Sequence, residues 1–424
     1  LFTQSAQGQE AYMRTQILKR KILLYLYDVQ IVQRTKLYQP FTEYDYKHYA
    51  KVVHDLIDEG FIEIKRDKRK NYIEITADGK RYAEVLKSKA ETEFPVVNKY
   101  NSRITKERRK QYADVAGLCL ANEIHVMDHP ALELLYGENT NEAKAARELF
   151  VQQLENGIYY EIMEVRNAYQ ALYGKTDLVS RSRLVGVIFY KSRIIYVYAI
   201  SSTLIVWKTI GESRTIDFYN DFFTKSLFLR KHLVVVNKPE AVVVGDSLSM
   251  VPALVHGRKK GIKDSDAKID AALSVVAQGR INAYNLALIF SQAYFIPTTS
   301  MGIGMMRVVC ALDNKTRDVL FSKWLDKRGY MKMTTRKYTQ GVDRQTGKRI
   351  IFVPYMNLIE LEHYCKQNEK VHFVIPHGTQ DAISRTVGPL LESAEDMRGV
   401  ALKFKSYDEN GVAVDGKWLK KGQE

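Results

Sequence analysis

Apolar and polar positions recur along this chain with two periods, and the change of period marks out its elements. Between Thr42 and Ala83, Tyr49, Val52, Val53, Leu56 and Ile57 repeat at helical spacing, while Lys47, His48, Lys51 and His54 fall on the other faces. Thr42 is the expected N-cap, with Asp45 three residues on, and Gly60 stands where a left-handed C-terminal residue is wanted. The period then drops to two, so Phe61–Ile64 and Tyr72–Ile75 read as paired strands. Upstream, Met13–Tyr27 carries a helical stripe. Ile31–Tyr38 reads as a short second helix, stopped before Pro40 because a residue preceding proline avoids the helical region. Thr76–Gly79 turns the chain into a closing helix, Lys80–Ala90. Three helices and a hairpin over residues 13–90 make the pattern of a winged helix-turn-helix domain.

Residues 91–180 read as a connecting region. Pro95 and an Asn/Ser cluster break the periodicity over 91–105, Thr105 then caps a helix, and Asn141–Leu154 forms another. From Arg181 the texture is β-rich, with Leu184–Phe189, Ile194–Ile200 and Thr203–Trp207 as an antiparallel meander. A helix over Thr215–Phe228 and strands at Leu233–Val236 and Ala241–Val244 follow. Further on, strands Ile350–Val353 and Val371–Ile375 alternate with helices Asn357–Gln367 and Thr379–Leu391. The expected fold is therefore α+β with an α/β part: an N-terminal winged helix-turn-helix domain, then a larger mixed-sheet α/β domain over 181–424.

Charge sharpens the picture. The chain's formal net charge is +15, and residues 1–110 hold 23 Lys/Arg against 15 Asp/Glu, about half of that excess in a quarter of the length. Lys65–Lys70 puts five positive charges into six residues, a solvated tip that wants phosphate. The expected partner is double-stranded DNA. Thr42, Tyr44, Lys47, His48 and Lys51 would face base edges, and Lys65, Arg66, Lys68, Arg69 and Lys70 would grip the backbone. Cys119, Cys310 and Cys365 lie far apart in apolar or helical context, so neither a disulfide framework nor a paired thiolate metal site follows from them, and buried thiols in a reducing cytoplasm are expected. No apolar run reaches the length of a membrane span, and no signal peptide opens the chain.

Candidate chemistry is sparse. Val242–Gly245 followed by Asp246 and Ser247 is similar to the first block of GDSL-type esterases, but no Asp-x-x-His follows to supply the base that a serine nucleophile needs. A magnesium-dependent nuclease would need one acidic residue plus an acidic-x-Lys pair. Asp246 with Asp266 and Lys268 is the formal match, on a stretch that reads as helix rather than strand. His125 and His129 have metal-ligand spacing with Pro130 cutting the helix, so capping or surface roles are expected. Met301–Met306 holds two glycines but not a full phosphate-loop pattern, so a P-loop ATPase is not expected. No cofactor and no metal are implied.

The winged-helix pattern, leading into Ser180–Ile188, then Tyr196–Tyr198 and Leu204–Lys208, resembles the replication-relaxation proteins of plasmids and integrative conjugative elements. The likeness covers roughly residues 13 to 250, with loose motifs and no catalytic residue to carry over. It implies a sequence-specific DNA-binding accessory role in plasmid replication, relaxation or conjugative mobilisation. The partners it implies are a relaxase or replication protein, and a homodimer is the expected assembly. The alternatives are a metal-dependent nuclease-like enzyme and a transcription regulator whose α/β half senses a ligand.

Overall fold

The structure is a computed structural model describing residues 6–67, 69–89, 105–137, 140–174, 182, 184–200, 209–256 and 283–311. It also describes 329–333, 340–347, 349–352, 356–365, 371–375, 391–396, 401–403, 419–420 and isolated positions between 319 and 386. Helix and sheet are mixed throughout, as an α+β fold requires. By internal contacts the chain divides into two units, residues 1–178 with 185–194 and 222–234, and residues 179–184 with 195–221 and 235–424.

In the first unit, α1 (Ala6–Val29) runs further at both ends than its stripe predicts. It stops because Gln30 takes a left-handed φ of 65°, and Ile31–Gln33 then leaves as strand β1. The expected helix over Ile31–Tyr38 is not formed. Its β-branched start pairs antiparallel with a later strand, Val32 opposite Ile73, and the rest turns into a short 3-10 helix, Gln39–Phe41, with Pro40 in its first turn. Helix α2 is Tyr46–Asp58, and its cap is Asp45 rather than Thr42: the carboxylate accepts from the backbone N–H of Lys47 at 2.9 Å and of His48 at 3.1 Å. It buries Tyr49, Val52, Val53 and Leu56, each worth about 1.5–3 kcal/mol on full burial. Gly60, at φ 75°, ends it as expected.

Strands β2 (Ile62–Asp67) and β3 (Lys70–Ile75) pair antiparallel from Ile62 opposite Ile75 to Asp67 opposite Lys70. Both are longer than the alternation alone suggests, so Lys65, Arg66 and Lys70 of the expected six-residue tip belong to the strands themselves. The sheet order is β1-β3-β2, with β2 at one edge. Helix α3 (Ala77–Lys89) follows, its start fixed by the Thr76 hydroxyl accepting from the Gly79 N–H at 3.0 Å.

Next in this unit come α4 (Lys106–Leu120, capped by Thr105), α5 (Asn141–Leu154, capped by Thr140), β4 (Ile158–Glu161), α6 (Ile162–Tyr173) and β5 (Leu184–Tyr190). Strand β4 pairs antiparallel with β5, Ile158 opposite Phe189. The start of α4 and the span of α5 match the sequence reading, whereas β4 and α6 are additions to it.

Strand β6 (Arg193–Ala199) leads to α7 (Thr209–Lys225) and α8 (Leu227–His232). The expected single helix over Thr215–Phe228 is broken at Ser226, whose hydroxyl accepts from the Leu229 N–H at 3.2 Å. The expected strand Leu233–Val236 is irregular chain approaching Pro239, and Thr203–Trp207 lies outside the described residues. Next come β7 (Glu240–Gly245), α9 (Val251–His256), α10 (Ala283–Ile289), β8 (Gln292–Pro297) and α11 (Ser300–Ala311). In the second unit β6, β7 and β8 run parallel, Val197 beside Val242 and Val242 beside Tyr294. A second, seven-stranded sheet is built from β9 (Tyr330–Met333), β10 (Gln340–Asp343), β11 (Arg349–Phe352), β12 (Val371–Ile375), β13 (Leu391–Asp396), β14 (Ala401–Lys403) and β15 (Leu419–Lys420). Its order runs from β15 to β9 in sequence, with parallel pairs only at β11-β12 and β12-β13. Helix α12 (Leu358–Cys365) joins β11 to β12. The expected mixed sheet is therefore present.

Candidate nucleic-acid interface

The basic surface is built from α2 and the β2–β3 hairpin. Because α2 turns Tyr49, Val52, Val53 and Leu56 inward, Lys47 and Lys51 must point to solvent, and both are exposed with no ion pair among the described residues. Thr42 is exposed too, but it closes the preceding 3-10 helix rather than opening α2. Tyr44 and His48 are half-buried and stacked on one another, with the Lys21 ammonium 5.4 Å from the Tyr44 ring centre. Lys21 also donates to Glu43 at 2.7 Å. Burial pulls this lysine down, but the hydrogen bonds to Glu43 and Tyr44 and the charges of those groups together leave it above its ordinary pKa. Tyr46, 62% exposed at the first position of α2, stacks edge-on against Tyr38.

Some of the hairpin's charges are engaged within the protein. Lys65 is committed: its ammonium lies 2.7 Å from Glu63 and 2.8 Å from Glu74, two carboxylates that sit opposite each other across β2 and β3. Hydrogen bonds to that pair hold Lys65 well above the usual lysine range. Its positive charge therefore offsets a like-charge cross-strand pair before any phosphate arrives. Asp67 is tied to Lys110 of α4 at 2.6 Å, and the same ammonium lies 4.1 Å from the centre of the Tyr72 ring. Burial pulls Lys110 down, but the bond to Asp67 and the surrounding negative groups leave it above its ordinary value. Arg66, Arg69 and Lys70 are exposed on the hairpin, and Lys68 lies outside the described residues.

One cation was hidden by the misread second helix. Arg34 is exposed in the turn after β1; its backbone N–H donates to Asn71 of β3 at 3.0 Å, and its charge acts on Tyr49 of α2. It thus stands between the helix and the hairpin. The signal that could have found it is the Ile31–Val32 β-branched pair, which favours a strand over a helix.

The candidate chemistry elsewhere does not assemble. Asp246 and Ser247 follow the end of β7; the Ser247 hydroxyl lies 2.5 Å from that of Ser249, and Asp266 and Lys268 lie outside the described residues. His125 bonds Asp128 at 2.8 Å, whereas His129 is buried against the Tyr160 ring with Glu164 at 3.7 Å, so the two histidines have separate partners. Among the described residues no cluster of His, Cys, Asp or Glu could hold a metal ion. Cys119 and Cys310 are buried free thiols. No described helix is long and apolar enough to cross a membrane.

No family model, no curated protein and no solved structure matches the chain.

Proposed function

We propose that the chain binds double-stranded DNA through a winged-helix surface, with α2 in the major groove and the β2–β3 hairpin on the phosphate backbone. The observation that carries this reading is the pairing of exposed Lys47 and Lys51 on α2 with exposed Arg66, Arg69 and Lys70 on the hairpin, Arg34 standing between them. The order α1-β1-α2-β2-β3 and the sheet order β1-β3-β2 agree with a winged-helix assignment. An accessory role in replication, relaxation or mobilisation of a plasmid follows from the resemblance of the sequence. Most of the described residues carrying that resemblance, Leu184–Ile188 and Tyr196–Tyr198, are buried in β5 and β6, so it speaks for a shared core more than a shared site. A relaxase or replication protein is the partner this role calls for.

Fluorescence anisotropy of the full chain on labelled duplex, over a series of salt concentrations, tests the reading. Arg66→Ala with Arg69→Ala should weaken binding to all sequences and flatten the log–log salt slope by about one unit per lost contact. Lys47→Ala with Lys51→Ala should instead narrow the gap between preferred and random duplex. Affinity and slope unmoved by either pair would overturn it.

A further inference from the structure

We propose that two copies of this chain pair through α1, the helices lying antiparallel about a two-fold axis level with Thr15. The core of the first unit takes its α1 side chains from Leu18, Ile22, Leu23, Tyr25, Leu26 and Val29, all beyond the middle of the helix. Residues 10–17 are exposed, Thr15 alone being half-buried. A helical stretch with no packed face is marginal in water and wants a partner for its apolar side.

That side is well defined. Glu10, Met13, Ile17 and Arg20 follow one another at spacings of three, four and three, which places them on one stripe. Met13 is 58% and Ile17 46% exposed. The stripe forms one wall of a groove of about 370 Å³, whose opposite wall includes Phe61, Tyr82 and Leu86. Protruding apolar side chains beside a groove of mixed apolar and charged lining on the same face give the surface both partners of an isologous contact.

Charge selects the occupant and its direction. In an antiparallel pair centred on residue 15, Met13 meets Ile17 of the second copy, and Glu10 meets Arg20 of the second copy, twice by symmetry. A parallel pair would set Glu10 against Glu10 and Arg20 against Arg20. Glu10 now bonds Arg14 at 2.9 Å in a solvent-exposed pair that is worth little, so its exchange for the second copy's arginine costs little. The groove reaches Leu56 and Glu59 at the C-terminal end of α2, about 14 and 18 Å along the helix from Lys47. The contact therefore leaves the proposed duplex-binding end of α2 open, and it stands independently of that reading.

Sedimentation velocity on the full chain over a range of concentrations tests the pairing, with circular dichroism to check that each variant is folded. The expected species is a dimer. Met13→Glu with Ile17→Glu should give monomer, and Glu10→Arg or Arg20→Glu alone should raise the dissociation constant about tenfold. The double reversal should restore it to within about threefold of the original. Within one chain Glu10 and Arg20 are about 15 Å apart along the helix, so such a rescue can arise only between copies. A chain that is monomeric at every concentration would overturn the proposal. So would a dimer indifferent to these substitutions, or a double reversal no better than either single one.

Discussion

The β2–β3 hairpin and the parallel strands β6, β7 and β8 solve opposite problems with the same backbone geometry. In β8 every position from Gln292 to Pro297 is buried, and in β7 only Glu240 is not. Parallel strands covered on both faces need uninterrupted apolar sequence, and Ala241–Val244 supplies it. In β2, by contrast, Ile62 alone is buried, and Ile64, Lys65 and Arg66 face solvent. The trio gains stability from burial and offers little for a partner to read. The hairpin gives up burial and keeps its charges available, apart from those spent on holding its own shape.

The same substitution placed in both regions should break this contrast most visibly. Val243→Asp buries an unpaired carboxylate and should cost about 4 kcal/mol or more, enough to abolish cooperative melting of a domain of ordinary stability, whereas Ile64→Asp should cost under about 1 kcal/mol. Thermal melts followed by circular dichroism separate the two. Equal losses would mean that the exposed side of β2 is as tightly covered as the trio.

A smaller effect is expected where the hairpin meets α3. A Cβ on Gly79 would run into the Phe61 carbonyl oxygen and lie 2.8 Å from Cγ1 of Ile75, so Gly79→Ala should destabilise by about 1–3 kcal/mol despite alanine's better helix propensity. Denaturant midpoints read this directly, and a gain in stability would show that α3 can shift away without loss.

The smallest effect belongs to Lys65→Gln, which leaves Glu63 and Glu74 facing each other on a solvent-exposed surface and should cost less than about 1 kcal/mol. The sign with pH is fixed by the raised pKa. Lys65 contributes fully below the ordinary lysine value and loses its contribution only as pH climbs through the higher folded value. From neutrality upward, the stability difference between the parent chain and the Lys65→Gln variant should therefore stay flat and shrink only in strong alkali. A difference that shrank near neutral pH would mean another group carries it.

Much of the first unit was legible because its signals are local. The stripe Tyr49–Leu56, Gly60 and the alternating Ile62–Ile75 hairpin each depend on neighbours in sequence, and α5 and β12 fall where their patterns put them. What was misread depends on distant chain. Ile31–Val32 became a strand because β3 offered its edge and Gln30 accepted a left-handed turn. The cap of α2 moved from Thr42 to Asp45 because Pro40 and Phe41 had already closed a separate turn. Strands β4 and β8 were missed because strands buried along their whole length show no alternation. Leu233–Val236 misled in the other direction: Val234 and Val236 alternate like a strand yet stand exposed, and the Val234 N–H donates to the Ser192 carbonyl in a turn rather than to a strand. At the candidate interface, charge count could not show that Lys65 was already engaged.

The position of β2 at the margin of its sheet has a consequence for handling this protein. Its outer row of peptide groups is an invitation to another extended chain, and the alternation of Glu63, Lys65 and Asp67 along that row works as a barrier to stacking and fibril growth. Replacements there are best made with polar side chains, because a run of apolar ones would trade solubility for self-association before any question about ligand could be asked.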